Sequence, residues 1–302
     1  MTSPVVSAFG LETSTVPLAN LNGELMPLSA AKVPVLDRGY LFGDGVYEVL
    51  RVYGGRPWKE DEHFARLTRS LGEVGIRGVD LDRLRRRWRE TLRAAGFREA
   101  TIYVHVTRGV APRAHAFPAS ATPTELIWVQ EYRDAYGDLR ANGAGVVLYP
   151  DLRWGRCDIK SLNLLGNVLA AQAAKEAGCI EAVLYRPDGT LTEASHSSFC
   201  WVRGGTVYGT PNSPAILPGT TRGLTAKLAA RAAVPFAEGT LHRDELDAVD
   251  ELLMTGTTME VLPVVRVDGK PVCGGRPGLV TRKLQEAYRA AVREFLAAPV
   301  RA

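Results

Sequence analysis

The feature of this sequence that most constrains its fold is a predicted strand, loop and helix between positions 145 and 178. The Val-rich run Gly145–Tyr149 is typical of a strand, and the Ala/Leu-rich run before Gly178 is typical of a helix that ends at a glycine. Between them lies Arg156–Asn163, which carries Lys160 in a chain whose basic residues are mostly arginine. Burial at such a junction lowers a lysine pKa, so that the free amine can attack a carbonyl. Lys160 is therefore a candidate catalytic lysine, although a single lysine here also fits an exposed surface residue.

The composition is that of an ordinary globular protein, with 302 residues, of which 46% are hydrophobic and 23% charged. A chain of this length forms one large or two medium domains. The net charge of +4 is small and dispersed, which argues against a nucleic-acid partner. We interpret the densest basic run, at positions 83–89, as a solvated helix face. No apolar run is long enough to span a bilayer, so we expect no membrane partner.

The four cysteines show no spacing typical of metal ligands; they are Cys157, Cys179, Cys200 and Cys273. We therefore expect reduced thiols, no metal site and a cytoplasmic protein. The first ten residues lack the basic and apolar regions of a secretory signal. We predict that residues 1–18 form a loose N-terminal extension.

Patterns typical of strands and helices recur along the chain and predict a mixed α/β fold. Asn22-Gly23 predicts a hairpin over residues 21–26, and three glycines predict an irregular loop over residues 35–45. Further strands are predicted at 46–53, 101–107, 125–132, 181–185, 199–203, 206–208, 251–255 and 260–267. Further helices are predicted at 59–74, 81–95, from Gly219 to Ala233, and at 278–297. We predict a smaller N-terminal α/β domain (19–134), a linker (135–143) and a larger C-terminal domain (144–302).

A binding site for pyridoxal phosphate needs an imine-forming lysine, an acid beside the pyridine nitrogen, a phosphate-binding loop and a group that binds the substrate carboxylate. Lys160 is the candidate lysine, and Glu193 is the candidate acid, because a carboxylate there keeps the ring nitrogen protonated. Thr220 and Thr221, at a predicted helix start, are candidates for the phosphate loop. Taken alone, the glutamate also fits an exposed strand end, and the threonines fit an ordinary helix cap.

The remaining requirements also have candidates. Thr257 could add a hydroxyl to the phosphate loop and Arg66 a charged hydrogen bond. Tyr40, Arg113 and His115 are candidates for binding the substrate carboxylate, because an arginine fork fits a carboxylate and two further donors would orient it. Each of the three, taken alone, also fits ordinary packing at the surface.

Four motifs reveal a resemblance to a known family. They are DRGYLFGDGVYEV (37–49), VTRGVAPRAHAFP (106–118), RWGRCDIKSLNLLGNVLA (153–170) and TEASHSSF (192–199). The chain resembles the fold-type IV pyridoxal-phosphate aminotransferases, and within them the bacterial D-amino acid aminotransferases. The resemblance runs from about Leu21 to the final helix. It implies two α/β domains, of which the C-terminal one is a mixed, β-barrel-like domain with helices, and a cofactor between them.

The resemblance also implies a role for each candidate residue. Lys160 would form the Schiff base with the cofactor and act as the proton shuttle, and Glu193 would pair with the pyridine nitrogen. The phosphate ligands would be Arg66, Thr220, Thr221 and Thr257. Tyr40, Arg113 and His115 would bind the α-carboxylate. In the family, the last two reach in from the neighbouring subunit, which implies a homodimer with a shared active site.

Four residues depart from the family pattern. His196 and Ser198 lie where family members often have a Ser-rich run ending in Asn, Gly256 replaces a Ser before the phosphate threonine, and Met259 replaces a small polar residue. These departures affect secondary contacts to the phosphate and the substrate side chain.

The implied activity is a ping-pong transfer of an amino group from D-amino acids, such as D-alanine or D-glutamate, to 2-oxo acids. The Arg113-Ala114-His115 element favours a D-amino acid enzyme over a branched-chain L-amino acid enzyme. Other readings are an aminodeoxychorismate lyase or an (R)-amine transaminase of the same fold, and a catalytically inactive binding protein.

Overall fold

The computed structural model describes residues 16–299, so most of the predicted N-terminal extension lies outside the described residues. The chain divides into two compact units. Among the described residues, the first comprises 16–133 together with Ile159–Asn163, and the second comprises Asp134–Asp158 and 164–299. Lys160, which the sequence placed in the domain at 144–302, thus groups with the first unit.

The first unit is a six-stranded antiparallel sheet with two long helices, and the sheet order is β2-β1-β6-β5-β3-β4. Its elements are β1 (Leu18–Leu21), β2 (Glu24–Pro27), α1 (Arg38–Phe42), β3 (Gly45–Tyr53), β4 (Arg56–Pro57), α2 (Glu60–Glu73), α3 (Leu81–Ala95), β5 (Ala100–Thr107) and β6 (Thr124–Glu131). The predicted hairpin, helices and strands of this region are confirmed. The loop predicted over residues 35–45 is wrong in part, because α1 (Arg38–Phe42) occupies its centre. The Asp37 side chain caps the first turn of α1 by accepting from Gly39 N.

Side chains that point alternately to the two faces of the sheet build the core of this unit. In β5, Ile102, Val104 and Val106 are fully buried against the helices, whereas Tyr103 and His105 lie on the opposite face. Trp88 of α3 is also fully buried in this core. Each such side chain stabilises the fold by about 1.5–3 kcal/mol.

The segment around Lys160 joins the first unit because its backbone pairs with β3. Tyr47 N donates to Lys160 O at 3.0 Å, and Leu162 N donates to Gly45 O at 3.1 Å. Ser161 forms an antiparallel bridge with Val46. Ile159, 5% exposed, adds to the core of this unit. The position of Lys160 is therefore fixed by main-chain hydrogen bonds.

The second unit contains a nine-stranded mixed sheet, with the order β12-β11-β10-β13-β14-β7-β8-β9 and β15 on β14. Its strands are β7 (Ala144–Pro150), β8 (Glu181–Tyr185), β9 (Leu191–Ala194), β10 (Ser198–Arg203), β11 (Thr206–Gly209), β12 (Phe236–Glu238), β13 (Glu251–Gly256), β14 (Glu260–Val267) and β15 (Lys270–Pro271). Its helices are α4 (Gly137–Asn142), α5 (Leu165–Glu176), α6 (Thr220–Arg231) and α7 (Leu279–Ala297). The segment predicted as a linker, 135–143, thus contains α4. Gln285 of α7 donates to Arg140 O of α4 at 2.9 Å.

The second sheet curls back on itself. Strands β9 and β10 lie far apart in the sheet order, yet residues 195–197 alone connect them. Because the four Cα–Cα steps from Ala194 to Ser198 span at most about 14 Å, the two strands must lie close together. Thr210 Oγ1 also donates to Thr192 O at 2.8 Å, which joins the chain after β11 to β9. This curvature brings the Glu193 segment close to the start of β10.

Within residues 16–299, no helix combines the length and apolar character needed to cross a membrane. The same part of the chain holds no group of His, Cys, Asp and Glu side chains that could bind a metal ion.

Candidate active site

Lys160 presents its amine to an aromatic ring of the first unit. Its Nζ lies 4.1 Å from the centroid of the Tyr47 ring, and Lys160 is half-buried. Its backbone N donates to Ser70 Oγ at 3.3 Å, in addition to the pairing with β3. The backbone contacts hold the main chain, so the side chain is the part that can react.

A buried ion cluster lies in the same unit. Glu48, which is fully buried on β3, accepts from Arg66 Nε at 2.7 Å and Nη2 at 2.9 Å, and lies 2.7 Å from His63 Nδ1. Burial alone would raise the pKa of Glu48, but the charges of Arg66 and His63 outweigh it and lower that pKa to about 2. Burial lowers the pKa of His63, although Glu48 opposes this shift. Arg66, a predicted phosphate ligand, is thus oriented by a carboxylate that the sequence prediction missed. The signal was a glutamate between Tyr47 and Val49 in a predicted strand.

Glu48→Gln is expected to reduce the dependence of stability on acid pH. The pKa of Glu48 falls from 4.5 to about 2 on folding, so its contribution is present above pH 4.5 and lost as the pH falls through 2. That contribution is of the order of 3 kcal/mol at neutral pH. Urea unfolding of the cofactor-free protein between pH 7 and 3 measures it. The stability difference between wild type and variant should shrink as the pH falls, and a constant difference would contradict the assignment. Glu131→Gln, at an exposed glutamate paired with Arg133, is the control.

Tyr40, Arg113 and His115 are exposed residues of the first unit. The guanidinium of Arg113 lies 5.5 Å from the Phe42 ring centroid of α1, and the His115 ring lies 5.5 Å from the same ring. Tyr40 also lies on α1 and is 74% exposed. The structure therefore brings the loop of Arg113 and His115 next to the helix of Tyr40.

A buried arginine holds this loop. Arg38 Nη1 donates to Ala114 O at 2.6 Å, and its Nη2 donates to His115 O at 3.1 Å. Asp44 orients Arg38 by accepting from its Nε at 2.7 Å. The sequence prediction missed both residues, although they lie within the DRGYLFGDG motif. A buried Arg38 is explained by the carbonyl groups that it satisfies.

Glu193 is buried in the second unit and shares Arg153 with Asp151. The Glu193 carboxylate pairs with Arg153 Nη1 and accepts from Leu217 N at 3.1 Å. Asp151 accepts from Arg153 Nε and Nη2, both at 2.9 Å. Burial raises the pKa of Glu193 to about 7, and Arg153 offsets this only in part because Asp151 shares its charge. A carboxyl group with such a pKa is suited to hold a proton opposite a basic ring nitrogen. Sequence reasoning missed Arg153 and Asp151.

Thr220 and Thr221 begin helix α6, and Gly219 precedes them as its N-cap. Glycine has no side chain that could cap the helix, and the N–H groups in the first turn of a helix favour an anion. A Cβ at Gly219 would clash with Ser198 Oγ as it is oriented here, so the glycine leaves room for that hydroxyl group. Thr257 lies in the turn between β13 and β14. The helix start and the hydroxyl groups fit a phosphate.

Two of the departures from the family pattern are explained by packing. Met259 is 1% exposed and belongs to the core of the second unit. A Cβ at Gly256 would lie 3.0 Å from Met259 Cγ, which is tighter than ordinary contact. The glycine therefore makes room for the methionine, and Met259 packs in the core.

Comparisons with known proteins agree with these features. Residues 45–267 match the family model described as amino-transferase class IV. A D-alanine aminotransferase of Staphylococcus aureus (strain COL) is 41% identical over 270 residues, which is 89% of this chain and 95% of that protein. The D-alanine aminotransferase of Bacillus licheniformis is 39% identical over 272 residues, covering 89% and 94%.

Solved structures of branched-chain amino acid aminotransferases share the fold. The Escherichia coli enzyme gives a TM-score of 0.85 at 26% identity, covering 90% of this chain and 93% of that one. A T.th. enzyme of the same kind, solved with pyridoxamine 5'-phosphate, also gives 0.85 at 26% identity, covering 91% and 93%. The family match spans most of the chain, and the relatives are matched over nearly their full length. The chain therefore belongs to the class IV aminotransferases.

Proposed function

We propose that this chain is a pyridoxal-phosphate-dependent transaminase that moves the amino group of D-amino acids, such as D-alanine and D-glutamate, to 2-oxo acids. The observation that carries the proposal is its similarity to D-alanine aminotransferases over 89% of the chain. The branched-chain enzymes share the fold at 26% identity, which is much lower. The proposal therefore favours the D-amino acid substrate class.

The cofactor, when bound, supplies a reactive aldehyde and a ring that withdraws electrons from the substrate α-carbon. Lys160 would hold it covalently through Nζ, and the same nitrogen would move the proton removed from the α-carbon. Glu193 would hold a proton at the pyridine nitrogen. The phosphate ligands would be Arg66, Thr220, Thr221 and Thr257.

Tyr40, Arg113 and His115 are proposed to bind the α-carboxylate, the last two from the neighbouring subunit of a homodimer. Their exposure in a single chain supports this role, because a residue that serves a partner's site remains on the surface of its own protomer. Helix α5 also exposes an apolar face. Its residues Leu165, Val168 and Leu169 are 72%, 57% and 47% exposed. Spacings of three and four residues place them together, as expected of a surface that a second copy covers.

The four cysteines are free thiols, which supports the proposed cytoplasmic location.

Arg113→Ala is expected to raise KM for D-alanine. Loss of one charged hydrogen bond costs about 1.5–3 kcal/mol, which corresponds to roughly 10- to 150-fold in binding. Steady-state kinetics with varied D-alanine measures the effect, and Arg133→Ala, at a side chain 90% exposed, is the control. An unchanged KM in the Arg113 variant would argue against the carboxylate assignment.

The function is tested by incubating the purified protein with D-alanine and 2-oxoglutarate. Pyruvate and D-glutamate are expected in equal amounts, and a lyase acting on aminodeoxychorismate would give neither. The protein should be yellow, and borohydride should fix the cofactor on Lys160. A colourless protein that binds no pyridoxal phosphate would instead indicate a catalytically inactive binding protein.

A further inference from the structure

Glu181, the first residue of β8, is fully buried and binds the whole turn that follows β9. Its carboxylate accepts from Ser195 N at 3.1 Å, His196 N at 3.2 Å and Ser197 Oγ at 3.0 Å. The Ser195 hydroxyl donates to it as well, and the imidazole Nδ1 of His196 lies 2.9 Å from its Oε2. One carboxylate thus contacts three consecutive residues of the turn.

The charge of Glu181 is retained in this environment. Burial alone would raise the pKa of Glu181, but the hydrogen bond and charge of His196 and the hydroxyl groups of Ser195 and Ser197 lower it below its usual value. A buried carboxylate with so many donors is fixed in orientation, and removal of its charge would leave those donors poorly satisfied.

The end of the turn held by Glu181 and the first residue of β10 lie beside the two glycines that precede proposed phosphate ligands. The Ser198 side chain fills the space beside Gly219, which precedes Thr220. Ser197 Cβ would lie 3.5 Å from a Cβ at Gly256, which precedes Thr257. Contacts on two separate loops thus converge on residues 197 and 198.

Tyr136 is a further residue beside the phosphate loop. Burial raises the pKa of Tyr136, a hydrogen bond with Thr258 lowers it, and the nearby charge of Glu181 raises it again. Tyr136 therefore forms a hydrogen bond with Thr258, the residue after Thr257, and is influenced by the charge of Glu181.

The opposite end of the turn leads directly to Glu193. Ala194 N, the next backbone group along the chain, donates to Ser197 O at 2.9 Å and closes the turn. The carboxylate of Glu193 accepts from Leu217 N, two residues before Gly219. Glu193 and the phosphate loop are therefore connected by two segments of the chain, residues 194–198 and residues 217–219.

We propose that Glu181 is a positioning residue of the cofactor site and that His196 is its partner in this role. The pair fixes the spacing between Glu193, which would face the ring nitrogen, and the threonines that would bind the phosphate. The inference rests on the proposed function, because this spacing matters only if pyridoxal phosphate binds with its ring nitrogen at Glu193 and its phosphate at these threonines. His196, a departure from the family's serine run, thereby gains a role.

The test compares pyridoxal phosphate with pyridoxal, which lacks the phosphate, as ligands of the cofactor-free protein. In Glu181→Gln, the Kd for pyridoxal phosphate should rise at least about tenfold, whereas the Kd for pyridoxal should change by less than about threefold. A residue that only stabilises the fold would change both constants by the same factor, and that outcome would overturn the proposal. Glu286→Gln, at an exposed glutamate of α7 that pairs with Arg289, is the matched control and should change neither.

His196 provides a second set of variants that keep the buried carboxylate. Asn can place an amide N–H near the position of Nδ1, so His196→Asn should keep the ratio of the Kd for pyridoxal phosphate to the Kd for pyridoxal within about twofold of the wild-type value. His196→Ala should raise this ratio at least about threefold. Equal ratios in both variants would contradict the role of His196. Failure of the proposed function is recognised separately, because wild-type protein would then bind neither ligand and its borohydride-treated Lys160 peptide would be unmodified.

Discussion

Lys160→Ala is expected to abolish transamination of D-alanine while leaving the fold and non-covalent binding of pyridoxal phosphate in place. The side chain supplies the only group of this residue that reacts, whereas its backbone N and O make the hydrogen bonds to Ser70 and Tyr47. Alanine keeps both backbone bonds. The loss should therefore be chemical, with turnover reduced by more than about 10⁴-fold, since covalent attachment and proton transfer are both removed.

The measurement combines initial rates, thermal unfolding and the absorption spectrum of the bound cofactor. The variant should unfold within a few degrees of the wild type and should release the cofactor on dialysis, since nothing fixes it covalently. Lys175→Ala, at an exposed lysine in the last turn of α5, is the matched control and should keep wild-type rates. Turnover within tenfold of the wild type in Lys160→Ala would remove this residue from the mechanism.

Elements with a clear repeating pattern are predictable from the sequence, because neighbouring residues determine them. The predicted strand 260–267 coincides with β14, and the predicted helix 81–95 coincides with α3, which has Asp80 as its N-cap and Gly96 in a left-handed conformation at its end. The helix α1 was missed because its glycines favour a loop. Its formation depends on Asp37, whose carboxylate also accepts from Thr107 and Thr124.

The sequence predicts the residues that would react or bind in the site, but it does not predict the residues that hold them in place. Lys160 and Glu193 were found because a motif surrounds each. Arg153 lies 40 residues from Glu193 in sequence, and no local pattern reveals that the two side chains meet. The sequence also does not reveal that Lys160 belongs to the first unit. That placement depends on backbone pairing with β3, such as the hydrogen bond from Tyr47 N to Lys160 O, between residues more than 100 positions apart. Contacts of this kind become visible only when the strands are assembled.

Glu193→Gln is expected to lower kcat about 100-fold or more while leaving the cofactor bound. Glutamine fills the same volume, but an amide neither holds nor stabilises a proton at the pyridine nitrogen. The ring then withdraws electrons poorly from the substrate α-carbon, and the proton transfer at Lys160 slows. Steady-state kinetics and the spectrum of the bound cofactor between pH 6 and 9 measure the effect. Glu176→Gln, at an exposed glutamate of α5 that accepts from Gln172, is the matched control.

The same substitution has a consequence that does not depend on catalysis. Burial raises the pKa of Glu193 from 4.5 to about 7 in the cofactor-free fold, so the folded protein binds this proton more tightly than the unfolded chain. The stability that this proton contributes is fully present below pH 4.5 and is lost as the pH rises through 7. Unfolding of the cofactor-free wild type should therefore become easier between pH 5 and 8, and Glu193→Gln should lose that part of the slope. A variant with the wild-type slope would show that Glu193 is ionised throughout this range. In that case, Arg153 would hold the carboxylate as an anion before the cofactor binds, and protonation of the ring nitrogen would follow from the fixed charge.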